Sequence, residues 1–190
     1  MNHSSINITG LQRDVALSRD QRAYRELFTH YYQPLIRFST SIVRSREAAE
    51  EIYSSVFLKL WDLGSALNNI ENLTVFLFVT IKNASLNYLA KYHKVKTIDI
   101  DSIEACLPEQ HETPEVNLLH TELQLTIKQA IVCLPPKCQL VYKLIKEEGF
   151  SYKQVAVILA ISVNTVEGHM TTALGKLAQF LQPYLHPGRN

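Results

Sequence analysis

The run from Leu134 to Leu177, LPPKCQLVYKLIKEEGFSYKQVAVILAISVNTVEGHMTTALGKL, decides the reading of the fold. At its centre Ser151-Tyr152-Lys153-Gln154 is a capping box. The Ser hydroxyl accepts from the third amide of a helix, and the Gln side chain reaches back to the Ser amide. The helix it opens is predicted to bury Val155, Ile158 and Leu159. Upstream, Pro135-Pro136 end one helix and start the next, Lys137 to Glu148, which Gly149 terminates. Downstream, an Ile161-Ser162-Val163 turn leads into another helix, capped by Ser162, with Val166, Met170, Leu174 and Leu177 on one apolar stripe. Two short amphipathic helices joined by a tight turn describe a helix-turn-helix, whose second helix enters a DNA major groove. Asn164, Thr165, Glu167, His169, Thr171, Thr172 and Lys176 would form its polar face, suited to base edges and phosphates. The same pattern also suits a helical hairpin used for packing alone, or for a protein partner.

Working outward, a preceding helix is predicted through Leu118, Leu119, Leu123, Ile127 and Ile131. Before it the charge pattern changes abruptly. Residues 97–127 hold seven carboxylates (Asp99, Asp101, Glu104, Glu109, Glu112, Glu115 and Glu122) and no Lys or Arg, a net of −7. Residues 1–96 hold 12 Lys/Arg against 8 Asp/Glu, and residues 128–190 hold 7 against 3, so each flank is +4. An acidic middle containing Pro108 and Pro114, between two basic lobes, reads as a linker joining two domains.

The first lobe also reads as helical. Tyr24, Leu27, Phe28 and Tyr31 recur at spacings of three and four; Pro34 is then predicted to break or kink the chain and open a second helix through Ile42 and Val43. Ser45 caps a third helix with Ile52, Val56 and Leu60 on one face. Asp62 to Asn72, with Gly64 and three Asn, reads as a loop. A fourth helix runs from about Thr74 to Tyr92, with Lys91, Lys94 and Lys96 complementing its carboxyl-terminal dipole. Period-two alternation is nowhere sustained, so no sheet is expected.

Composition bounds the rest. The 190 residues are 46% hydrophobic with only 6 Gly, 7 Pro and a net charge of +1, which excludes wholesale disorder and collagen-like or mucin-like classes. No apolar run approaches the roughly 20 residues of a membrane span, and the first twenty residues lack the basic and apolar segments of a signal peptide. Cys106, Cys133 and Cys138 read as reduced thiols, since no second Cys/His pair stands at zinc-finger distance. The seven histidines are scattered and no Gly-rich phosphate loop exists, so neither a metal, a cofactor nor an active site is expected.

The residues also carry a resemblance. Leu134-Pro135, Glu148-Gly149-Phe150-Ser151-Tyr152, Ala156, Ile161-Ser162, Thr165-Val166-Glu167 and His169 closely resemble region 4 of bacterial RNA polymerase sigma factors, most of all the extracytoplasmic function (ECF) group of the sigma-70 family. That resemblance implies recognition of the promoter −35 element by Ser162, Asn164, Thr165, Glu167, His169, Thr172 and Lys176. The family's recognition helix usually carries more Lys or Arg; here Gly168, Thr171 and Thr172 stand on or near the polar face, and Lys176 is the only cation between Lys153 and Arg189.

Ala49 to Trp61, AEEIYSSVFLKLW, resembles the region-2 helix that binds the clamp helices of the polymerase's largest subunit. The implied contact residues are Glu50, Glu51, Ser54, Ser55 and Phe57, with the two serines where Gln and Asp are more usual. Phe76 to Lys96 resembles the helix that meets the −10 element, with Asn83 matching its most recognisable residue, Lys82 in the place of an Arg, Asn87 in the place of an Asp, and Lys91 nearby. Asn68 and Asn69 fall in the loop with which the family captures a flipped base. An Asn- and Lys-bearing helix flanked by Tyr88 and Tyr92 suits a separated strand, although each Tyr could equally be a packing residue.

The expectation is therefore an all-α chain of two small helical domains joined by an acidic linker: a tail over 1–19, sigma region 2 over 20–96, the linker over 97–115 and region 4 over 116–185. It would be a cytoplasmic, non-enzymatic transcription initiation factor. Its implied partners are core RNA polymerase, promoter DNA and an anti-sigma factor, with no direct membrane contact and no cofactor. Two alternatives stay open on the residues alone: a helix-turn-helix regulator acting on duplex operators without polymerase, and an all-α protein that sequesters a sigma factor.

Overall fold

The structure is a computed structural model, described here for residues 6–93 and 118–185; the linker expected over 97–115 lies outside the described residues. The chain divides into two compact units, Met1–Ile100 and Asp101–Asn190. Among the described residues every element is helical.

The first unit holds α1 (Ile8–Ser18), α2 (Gln21–Val43), α3 (Arg46–Asp62), a 3₁₀ helix η1 (Gly64–Asn69) and α4 (Leu73–His93). Side-chain acceptors start the first three helices. Asn7 takes the Gly10 amide at 2.9 Å, Asp20 the Arg22 amide at 2.7 Å, and Ser45 the Ala48 amide at 3.2 Å. Leu27, Tyr31 and Leu35 of α2 are buried with Tyr53, Phe57 and Leu60 of α3 and with Leu77, Phe78 and Ile81 of α4. The buried tyrosines keep their hydroxyls satisfied: Tyr31 meets Thr74 Oγ1 at 2.7 Å, and Tyr53 donates to the Phe28 carbonyl at 2.5 Å. Ser39 of α2 and Ser85 of α4, both fully buried, share a hydrogen bond of 2.9 Å.

Four expectations change here. The presumed tail contains α1, which buries Gln12, Val15 and Ala16. Pro34 neither breaks nor restarts a helix; α2 runs through it unbroken. Interior Pro costs about 3 kcal/mol, yet α2 buries Leu27, Tyr31, Leu35, Ile36, Phe38, Ile42 and Val43 on both sides of it, and that packing outweighs the local preference. Part of the loop Asp62–Asn72 is the η1 helix, anchored by the buried Leu67. Finally, Leu73–Tyr92 is long and apolar enough by composition to cross a bilayer. Its Leu77, Phe78 and Ile81 pack into the core of this unit, with 33% of the stretch buried, and helices that supply core residues can share that composition.

The second unit holds α5 (Leu118–Val132), α6 (Pro136–Lys146), α7 (Tyr152–Leu159) and α8 (Val163–Leu185). Gly149 after α6 has φ +74, the left-handed conformation that glycine adopts without a Cβ penalty. The capping box forms as expected: Ser151 Oγ accepts the Gln154 amide at 3.3 Å, and Gln154 Oε1 accepts the Ser151 amide at 2.9 Å. Val141, Leu144, Val155, Ile158, Val166 and Met170 are buried. One stripe position shifts. Ala173 is buried and Leu174 is exposed, so the inward row on α8 is Val166, Met170, Ala173 and Leu177.

Candidate nucleic-acid and polymerase interfaces

Helices α7 and α8 meet at 107° across the turn Ala160–Ser162, within the 90–120° range of a helix-turn-helix. With Val166, Met170 and Ala173 turned inward, Asn164, Thr165, Glu167, Thr172 and Lys176 are exposed along the front of α8. Ser162 is exposed too, and its hydroxyl oxygen accepts the Thr165 amide at 3.0 Å while lying 2.7 Å from the Thr165 hydroxyl. It is thus the cap of α8 as well as a candidate contact. Thr172 Oγ1 donates to the Gly168 carbonyl at 2.9 Å, which leaves the hydroxyl oxygen as an acceptor. His169 is half-buried, with Nδ1 3.8 Å from Cys138 Sγ on α6. Burial pushes the Cys138 thiol above its ordinary pKa, so it stays protonated.

In the first unit, Glu51, Ser54 and Ser55 are exposed on the outer face of α3. Glu50 is partly exposed, and its Oε1 accepts both the Tyr32 hydroxyl at 2.8 Å and Arg46 Nε at 3.0 Å. Phe57 departs from its expected role. It is fully buried among the rings of Tyr24, Phe28 and Tyr53, so it shapes the helix from behind and presents nothing to a partner.

On α4, Asn83, Asn87 and Lys91 are exposed one turn apart and form a single stripe. Lys82 does not join them. The residue is only 6% exposed and is engaged in a contact of its own, so it is not displayed toward a phosphate. At the end of the helix Tyr88 and Tyr92 stand with ring centroids 4.4 Å apart and planes 31° apart, and Tyr92 is 63% exposed. Asn68 and Asn69 are exposed at the apex of η1, whose turn closes through the Ile70 amide on the Leu67 carbonyl at 3.2 Å.

Gln12 of α1 and its cap residue Arg19, both passed over by the sequence reading, hold the chain around that turn. Gln12 Nε2 donates to the Leu67 carbonyl at 2.8 Å and to the Ile70 carbonyl at 2.7 Å. Arg19 donates from Nη1 to the Trp61 carbonyl at 2.5 Å, with its guanidinium 4.4 Å from the Trp61 ring centroid. Nothing in the local sequence of either marks a partner more than forty residues away.

A helix-turn-helix in one unit, and an exposed Asn/Lys stripe and an Asn-tipped turn in the other, agree with comparison to known families. The model of sigma-70 region 2 matches residues 27–95, and that of sigma-70 region 4 matches residues 124–177. The chain belongs to the sigma-70 family. Its relatives place it in the ECF group of sigma factors, which direct transcription initiation. RNA polymerase sigma-H factor of Pseudomonas aeruginosa is 25% identical over 173 residues, covering 87% of this chain and 90% of that protein. ECF RNA polymerase sigma-E factor of Escherichia coli K12 is 24% identical over 176 residues, with coverage of 87% and 90%. Among solved structures, CnrH in complex with the cytosolic domain of CnrY is 18% identical, with a TM-score of 0.56 over 92% of this chain and 96% of that one. The sigma factor RpoE with the anti-sigma factor NepR from Bartonella quintana is 20% identical, with a TM-score of 0.56 over 85% and 98%. These two likenesses concern the fold. Both regions occurring in order on one chain favour a sigma factor over a regulator that works without polymerase.

Proposed function

We propose that this sigma factor reads the promoter −35 duplex with the front of α8 and the melted −10 strand with the α4 stripe and the η1 apex. The reading assigns Asn164, Thr165, Glu167, His169, Thr172 and Lys176, with the cap residue Ser162, to the major groove. Asn83, Asn87 and Lys91 meet the separated strand, where Asn suits base edges and Lys suits phosphate. Asn68 and Asn69 meet one unstacked base. Glu51, Ser54 and Ser55, with Glu50 at their margin, face the clamp helices of the polymerase's largest subunit. The chain supplies no catalytic group; phosphoryl transfer belongs to the polymerase, and the sigma factor acts with it in the cytoplasm. The solved complexes of CnrH with CnrY and of RpoE with NepR support an anti-sigma factor as its regulator.

The observation that carries the reading is the 107° angle between α7 and α8, with Asn164, Thr165, Glu167, Thr172 and Lys176 of α8 exposed. Contacts made to unpaired bases offset part of the cost of opening the duplex. The test is open-complex formation by the full chain with core polymerase on promoters altered singly in the −35 and −10 elements. Thr165→Ala, His169→Ala and Lys176→Ala should flatten −35 preference alone, and Asn83→Ala and Asn87→Ala −10 preference alone. Equal loss at both elements from either set would refute the assignment.

A further inference from the structure

Gln12 lies on α1, outside the residues 27–95 that match sigma-70 region 2. Its side chain is buried, and the two hydrogens of Nε2 go to two different carbonyls, Leu67 at 2.8 Å and Ile70 at 2.7 Å. Those carbonyls bracket Asn68 and Asn69. The Leu67 carbonyl also accepts the Ile70 amide, so Leu67 to Ile70 is a closed turn with the two asparagines at its corner and one amide gripping both its ends. A turn of four residues has little stability of its own. Leu67 anchors it by burial, and the hydrogen bonds from α1 fix its tilt. At the entry to the turn, Arg19 holds the Trp61 carbonyl, and Gly64 follows with φ +55. Gln12 of α1 thus holds the end of the loop, and Arg19, the cap residue after α1, holds the end of α3 before it, while Asn68 and Asn69 stay exposed.

We propose that Gln12 is a positioning residue for promoter reading: it sets the orientation in which Asn68 and Asn69 meet a single unstacked base of the −10 strand. This rests on the assignment of the η1 apex to that base. Base selection depends on placing a hydrogen-bonding edge to within about half an ångström. A turn freed of both restraints still reaches the base but presents the amide over a range of angles. Loss of Gln12 should thus lower discrimination between bases more than it lowers total affinity.

The test uses the full chain bound to core polymerase. It measures opening of promoters carrying each of the four bases at every −10 position of the non-template strand. Gln12→Met keeps the length and removes both donors; Gln12→Asn keeps the amide on a shorter stem and serves if the Met variant fails to fold. Asn68→Ala with Asn69→Ala is the reference. We expect at least a fivefold loss of discrimination at one −10 position for the Gln12 variant, at the same position as for the Asn pair. The combined variant should lose no more than the Asn pair alone, and −35 preference and affinity for core should stay within twofold. If the Asn pair loses discrimination and the Gln12 variant keeps it, Gln12 has no positioning role and the loop assignment stands. If the Asn pair itself keeps full discrimination, the loop assignment falls and this inference falls with it. A uniform loss across all positions, with weaker core binding, would show a purely structural Gln12 and overturn the proposal.

Discussion

Ser162 serves at once as the cap of α8 and as a candidate DNA contact, and two substitutions separate those roles. Its oxygen accepts the Thr165 amide at 3.0 Å, so Ser162→Ala leaves that donor to water and costs about 1 kcal/mol. In a domain of 60–100 residues this lowers Tm by about 4–8 °C. Ser162→Asp restores an acceptor and places a negative charge at a helix N-terminus, where it is favourable, so the fold keeps its stability to within about 0.5 kcal/mol. That same charge would face DNA phosphates. At about 6 Å, with an effective dielectric between about 20 and 60, the repulsion is about 1–3 kcal/mol, which is about a 5- to 100-fold loss of −35 affinity. Thermal unfolding followed by circular dichroism, with anisotropy titration of a −35 duplex by the holoenzyme at fixed salt, reads both quantities. The expected pattern is crossed: the Ala variant melts early and loses only its one hydroxyl contact, at most about tenfold in affinity, while the Asp variant melts normally and binds poorly. Undiminished binding by the Asp variant would mean that no phosphate lies near the start of α8, and the placement of that helix in the groove would be wrong.

Three further outcomes follow from the geometry. Gly149→Ala forces a Cβ into φ +74 and should destabilise the second unit by about 1–2 kcal/mol, seen as a lower denaturant midpoint; no atom crowds that position, so the strain is in the backbone alone. Glu51→Lys should weaken binding to core polymerase at least tenfold with no change in melting, because Glu51 is exposed; Glu50→Lys should also lower the melting temperature, since it removes the acceptor of Tyr32 and Arg46. In alkali the first unit should weaken: burial holds the Tyr31 and Tyr53 hydroxyls above their ordinary value near 10, so above that pH the unfolded chain has released protons that the folded chain retains. Stability then falls with rising pH once the unfolded tyrosines begin to ionise near 10, measurable as a lower urea midpoint at pH 11 than at pH 9.

Legibility in the sequence followed the range of the interaction. The capping box at Ser151 and Gln154, the glycine stop at Gly149 and the turn at Ser162 are fixed by residues within a few positions, and each formed where the pattern put it. Pro34 misled because its local penalty is outweighed by burial along the whole of α2, a sum that no short window contains. Lys82 and Phe57 misled for a related reason. A helix packed on more than one neighbour buries a wider arc than a single apolar stripe predicts, and the long alkyl stem of Lys adapts to burial. Gln12 was invisible, since its meaning comes entirely from carbonyls 55 and 58 residues away.

The hydroxyl pair of Ser39 and Ser85 has a consequence beyond the core that holds it. Two apolar helix faces can slide along each other with little change in buried area, but a lone hydroxyl pair fits at one register only. A slip of α4 against α2 by one turn, about 5.4 Å, would strand both hydroxyls without water or partner, at about 1–3 kcal/mol each. Replacing both serines with alanine would therefore cost little stability while removing one of the two hydroxyl pairs, the other being Tyr31 with Thr74, that mark, against α2, the axial position of α4. Asn83, Asn87 and Lys91 ride on that helix, whereas Asn68 and Asn69 are held from α1. On the proposed reading, the spacing between these two groups of side chains is thus set like a vernier, by hydroxyl pairs buried in the core.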